Sequence, residues 1–97
     1  MYPLNARKEL EDHIGHSKPI CAKIETYLHG KKQSYILQID YSQEDLEKFL
    51  ESLDFEYNSG FGCQEVFGFV LIDGNILERN EYDGSEWWEW SGTWSGL

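Results

Sequence analysis

Glu65-Val66-Phe67-Gly68-Phe69-Val70-Leu71-Ile72-Asp73-Gly74-Asn75-Ile76-Leu77-Glu78-Arg79-Asn80-Glu81-Tyr82 is the stretch that decides the fold. Residues 65–72, rich in branched and aromatic side chains, predict a strand. Asp73-Gly74-Asn75 is a hairpin turn signal, and residues 76–82 return with polar alternation. Asp83-Gly84 is a second turn signal, after which residues 86–90 predict a last strand. Pleating sends successive side chains to opposite faces. Trp88 and Trp90 therefore share one face and Trp87 and Glu89 the other, so a regular strand leaves at least one indole partly exposed.

Working outward, residues 19–29 place Ile20, Ala22, Ile24, Thr26 and Leu28 on one face, and residues 34–41 do the same with Tyr35, Leu37, Ile39 and Tyr41. The polar stretch His29-Gly30-Lys31-Lys32-Gln33 between them predicts a short loop joining an antiparallel hairpin. Ser42 opens the clearest helix. Ser42 and Asp45 stand in capping-box spacing, and Leu46, Phe49, Leu50 and Leu53 form an i, i+3, i+4, i+7 stripe. A shorter helix over residues 5–14 has Asn5 as N-cap, Ala6, Leu10 and Ile14 on its apolar side, and Gly15 at its end. Residues 55–63, with Asn58-Ser59-Gly60 and Gly62, read as a mobile loop carrying Phe55, Tyr57 and Phe61, a kind of segment that often holds binding residues. The expected fold is one α+β domain over residues 1–97, in which a mainly antiparallel sheet of about five strands packs against one or two helices.

The chain has 97 residues and holds 18 Asp and Glu against 8 Lys and Arg, a formal net charge of −10. The imbalance is uneven: residues 1–33 carry six cations against four acids, a balance of +2, while the remainder carries fourteen acids against Lys48 and Arg79, a balance of −12. Such a field repels phosphates, so direct nucleic-acid binding and docking to an anionic membrane are disfavoured. No run approaches the roughly 18 apolar residues of a membrane span, and the N-terminal stretch lacks a signal peptide's apolar segment, so a cytoplasmic setting is expected. Cys21 and Cys63 lack CxxC spacing and are expected as buried, reduced thiols.

No catalytic motif is present. His13 and His16 lie three apart, but Gly15 stands between them and no third ligand has diagnostic spacing, so neither a metal nor a cofactor is predicted. Walker and Rossmann glycine loops are likewise absent. What remains is Glu81-Tyr82-Asp83-Gly84-Ser85-Glu86-Trp87-Trp88-Glu89-Trp90, which sets four carboxylates among four large rings with no cation. Trp and Tyr supply anchors at interfaces, and uncompensated carboxylates favour a basic partner. The candidate partner-binding residues are Glu44, Glu47 and Glu51 on the helix face, with Glu78, Glu81, Tyr82, Asp83, Glu86, Trp87 and Glu89 around the C-terminal strands. Trp87 is the apolar anchor of this set. On the plainer reading of the same residues, the indoles complete a small core and the acids are solvated.

Phe67-Gly68, Asp73-Gly74, Glu78-Arg79 and the run 81–88 resemble small acidic proteins encoded by bacteriophages and prophages. The resemblance covers roughly residues 64–90. It implies a phage origin and a bacterial cytoplasm, and such proteins are often inhibitors of host defence, including anti-CRISPR and anti-restriction proteins that imitate nucleic acid in their charge. The expected function is therefore non-enzymatic: a monomer or weak dimer that binds and inhibits a basic, nucleic-acid-handling host protein, such as a CRISPR effector or restriction nuclease. An immunity protein or antitoxin facing a basic toxin, and a phage accessory structural protein, are the alternatives.

Overall fold

Hydrophobic period and turn chemistry resolve into nine elements in the computed structural model, which describes residues 3–15, 17–28, 30–58, 64–82 and 85–93. In chain order these are β1 (Pro3–Asn5), α1 (Ala6–Ile14), β2 (Cys21–Leu28), β3 (Lys31–Leu37), α2 (Gln43–Ser52), β4 (Glu56–Asn58), β5 (Val66–Ile72), β6 (Asn75–Tyr82) and β7 (Ser85–Thr93). A five-stranded antiparallel sheet runs in the order β3-β2-β5-β6-β7, and β1 pairs with β4 in a separate two-stranded sheet. The fold is α+β.

Both helices form where local chemistry places them. In α2 the Ser42 hydroxyl accepts from the Asp45 N–H, and the Asp45 carboxylate accepts from the Ser42 N–H, a complete capping box. In α1 the Asn5 side chain accepts from the Lys8 N–H, and Gly15, at φ 59, ends the helix. Leu10, Ile14, Leu46, Phe49 and Leu53 are buried together with Ala22, Ile24, Leu37, Val70, Leu77 and Trp88 of the sheet. One face of the large sheet is thus covered by the helices. No helix among the described residues is long and apolar enough to cross a membrane.

The β5–β6 turn joins the register Ile72↔Asn75 with Asp73 at φ 47 and Gly74 at φ 79. Two successive positive φ values are what a type I′ turn demands, and Asp-Gly supplies them. The β2–β3 hairpin is tighter than expected. Leu28 pairs with Lys31, so Lys31, Lys32 and Gln33 belong to the strand and not to a five-residue loop. Their polarity reflects an edge strand, where lysines discourage pairing with another chain. This strand also stops at Leu37, because Asp40 at φ 66 turns the chain towards the α2 cap, leaving Ile39 exposed.

A larger correction concerns the expected loop at residues 55–63. Glu56–Asn58 is strand β4, registered as Pro3↔Asn58, Leu4↔Tyr57 and Asn5↔Glu56, and Tyr57 is buried in the core instead of presented for binding. Phe61 and Cys63 lie outside the described residues, as do His16 and His29. Strand β7 outruns the predicted 86–90. It carries an extra residue between the pairs Leu77↔Trp90 and Ile76↔Gly92, a bulge at which Gly92 takes φ 129.

Candidate protein-docking face

Cross-strand register sorts every side chain of the sheet onto one of two faces. Lys23 lies opposite Ile36 on one side and Phe69 on the other; Phe69 lies opposite Glu78, and Glu78 opposite Glu89. Directly opposed residues share a face. Ile36, Lys23, Phe69, Glu78 and Glu89 therefore form one row across all five strands, on the side away from the helices. Tyr27, Phe67, Tyr82 and Trp87 share this outer face by alternation. Tyr82 is 76% exposed, Phe69 38% and Trp87 37%, and Tyr27 and Ile36 are also exposed. Tyr27 and Phe67 meet edge to face at 5.5 Å between centroids. Beside them Lys32 bridges to Glu25 at 3.0 Å and holds that carboxyl below its usual range, chiefly through this hydrogen bond.

Glu78 and Glu89 place two carboxylates directly opposite each other, an arrangement that is unfavourable in isolation. The surroundings hold both acids in place without neutralising them. Asn80 Nδ2 donates to Glu89 Oε2 at 2.7 Å, Trp87 Nε1 donates to the same oxygen at 3.2 Å, and Ser91 Oγ donates to Glu78 Oε1 at 2.9 Å. Neither acid is ion-paired among the described residues. Lys23, the cation in their row, is separated from them by the Phe69 ring.

The predicted site residues do not form one surface. Glu78, Tyr82, Trp87 and Glu89 come together on the outer face. Glu81 is exposed but alternates to the opposite side, opposite Glu86 in the register. Glu44, Glu47 and Glu51 are exposed on α2, on the helix side of the sheet, and Glu44 is bridged to Lys48 at 3.3 Å. Asp83 lies outside the described residues. Glu86 is the clear correction, since at 5% exposure it cannot face a partner.

Glu86 is buried because Arg79 and two backbone amides require it. Arg79 Nε and Nη2 donate to Glu86 Oε1 at 3.2 and 2.9 Å, and the N–H groups of Glu65 and Val66 donate to its oxygens at 2.8 and 3.0 Å. The Arg79 guanidinium lies 5.3 Å from the ring centroids of both Tyr57 and Trp88. Arg79 Nη2 also donates to the Tyr57 hydroxyl, which donates to Glu9 of α1. Arg79 Nη1 lies 3.0 Å from Glu9 Oε1 without the alignment of a hydrogen bond, so that contact is coulombic. Burial depresses the Arg79 pKa, but Tyr57, Glu9 and Glu86 outweigh it and the net shift is upward. The cluster is a structural tie joining α1, β4, β6 and β7, and sequence alternation alone did not single it out.

Burial raises the Tyr57 pKa above its ordinary value of 10.0, and its hydrogen bond to Glu9 adds to the rise. The folded state therefore favours the neutral phenol. This contribution is complete below pH about 10, where the unfolded chain begins to ionise, and is lost as pH rises through the folded value. Urea unfolding followed across this window should show an alkaline decline that is shallower in Tyr57→Phe. An equal slope in both proteins would remove Tyr57 as its source.

Among the described residues no three His, Cys, Asp or Glu side chains come together as a metal site. Cys21 is a free thiol, partly buried, and burial raises its pKa. Compared with known proteins, the chain matches no family model, no curated protein and no solved structure.

Proposed function

We propose that this chain is a protein-binding inhibitor that docks a basic macromolecule on the outer face of its sheet. The observation that carries this reading is the uncovered row Phe69, Glu78, Glu89 with Trp87 and Tyr82 beside it: exposed rings adjoining an opposed carboxylate pair that no ion pair among the described residues neutralises. Exposed rings give an anchor, and a fixed anionic pair favours and steers a cationic partner. A basic, nucleic-acid-handling host protein such as a CRISPR effector or restriction nuclease suits the charge of −10 and the resemblance to phage proteins. The acids divide between opposite sides of the sheet, so the binding proposed is ring-anchored docking and not a continuous strip imitating nucleic acid. A basic toxin would fit the same face, and partner identity separates that reading.

A sheet face with rings on neighbouring strands also resembles the platforms on which single-stranded nucleic acids stack their bases. Glu78 and Glu89 beside the rings argue against it, since they repel the phosphates. Tight binding of a short oligonucleotide at physiological salt would reverse that judgement.

The test is a pull-down from a bacterial host with the wild-type chain and with Trp87→Ala. The expected result is a basic nuclease that is captured by the wild type, lost steeply between low and physiological salt, and held about tenfold or more weakly by Trp87→Ala. Trp87→Ala should leave the thermal midpoint within a few degrees, because its ring stands outside the core. Identical capture by both proteins would overturn the assignment of this face.

A further inference from the structure

We infer that the outer face takes an arginine side chain of the partner, with its guanidinium between Glu78 and Glu89 and against the rings of Phe69 and Trp87. This inference rests on the docking reading above and specifies its chemistry. The two carboxylates face each other across β6 and β7 on the exposed side of the sheet. Each is anchored through one oxygen, Glu89 through Oε2 and Glu78 through Oε1, which leaves Glu89 Oε1 and Glu78 Oε2 without a protein partner among the described residues. Two acceptors held on directly opposed residues match a planar fork of N–H donors better than a single ammonium.

The rings make the same distinction. Phe69 is the direct register neighbour of Glu78, and Trp87 precedes Glu89 on the same face of β7. A cation lying over the carboxylate pair is therefore also beside two aromatic side chains. Guanidinium is weakly hydrated and stacks on rings, whereas ammonium keeps its water. Among the described residues no cation fills the position: Lys23 is on the far side of Phe69. Arg79, the one arginine of β6, is turned inward to Glu86. An arginine from outside would thus relieve a like-charge pair that the fold holds in place without neutralising.

The experiment titrates the full chain at low salt with a blocked hexapeptide of alternating glycine and arginine, and with its lysine counterpart. Backbone amides and the Trp87 Nε1–H are followed by nitrogen–proton NMR. The arginine peptide should shift Trp87 Nε1–H and the Phe69, Glu78 and Glu89 amides, binding about fivefold more tightly than the lysine peptide. Glu78→Gln/Glu89→Gln should abolish that difference, with Glu47→Gln on α2 as the control that retains it. Both Gln side chains keep an acceptor for the present hydrogen bonds, so an unchanged thermal midpoint confirms a folded variant. Equal binding of the two peptides at this face would overturn the arginine inference and leave the docking reading standing. Shifts confined to α2, or no binding at either charge type, would overturn both.

Discussion

Arg79→Met is expected to destabilise the protein by about 3–5 kcal/mol, the range for removing one partner of a buried ion pair. The size follows from what remains. Glu86 keeps its two backbone donors from Glu65 and Val66 but loses the guanidinium, and Glu9 loses its nearest cation. The side chains of Arg79 and Glu86 are both at 0% exposure, so water cannot replace what is lost. Methionine would fill much of the space between Tyr57 and Trp88, so the effect measures charge and hydrogen bonding more than a cavity. In Arg79→Met/Glu86→Gln the stranded Glu86 charge is gone, while the glutamine carbonyl keeps an acceptor for one of the two amides. The double variant should therefore be less destabilised than the sum of the two single variants by about 1–3 kcal/mol. Urea unfolding of the four proteins measures this. A loss below about 1 kcal/mol for Arg79→Met, or strict additivity, would refute the picture of a buried electrostatic tie.

Gly68→Ala is expected to have a comparable effect for a different reason. Gly68 sits in β5 opposite Ile24 with φ 135, and a Cβ built there would lie 2.1 Å from the Lys23 carbonyl oxygen and 2.8 Å from the Ile24 Cα. Both obstacles are backbone of the neighbouring strand, so relief requires β2 and β5 to separate at the centre of the sheet. A loss of about 3 kcal/mol or more follows from clash and backbone strain together. For a domain of this size that lowers the thermal midpoint by about 12 °C or more. Gly74→Ala provides the contrast: its φ is 79 but nothing lies within 4 Å of the added carbon, so only conformational strain of about 1–2 kcal/mol remains. Equal midpoints for the two variants would mean that the β2–β5 approach at Gly68 is not limiting.

Where short-range chemistry controlled the outcome, the sequence was a sufficient guide. Ser42 with Asp45, Asn5 with Gly15, and Asp73 with Gly74 each act within a few residues, and each element formed where those residues placed it. The largest miss is non-local. Strands β1 and β4 are three residues each and pair across most of the chain, with nothing periodic to announce them. From sequence alone Tyr57 reads as a loop residue for that reason. The run Val66–Ile72 is apolar on both faces, so its sequence does not distinguish Phe67 and Phe69 from Val66 and Val70; the helices, which cover one side only, do.

The candidate site was legible in part. Alternation correctly separated Trp87 and Glu89 from Trp88, and Trp88 is buried while Trp87 is not. Trp90 is exposed despite sharing the parity of Trp88, because it lies at the bulge near the end of β7. Glu86 is buried although a carboxylate in an acidic stretch reads as surface. A usable signal did exist: carrying the register back from Tyr82↔Ser85 puts Trp88 opposite Arg79, the only Lys or Arg after residue 33 apart from Lys48, and Glu86 two residues from that pair. A lone arginine facing an indole and near an acid is a reason to expect a buried pair.

The docking proposed here sets a cationic protein on the outer face of β5–β7 through Glu78, Glu89 and Trp87. Its most direct test is the salt dependence of affinity for the purified basic partner, comparing the wild type with Glu78→Gln/Glu89→Gln. A steep fall of affinity with salt in the wild type, with a weaker starting affinity and a shallower slope in the double variant, is the predicted result. Superimposable curves for the two proteins would contradict it.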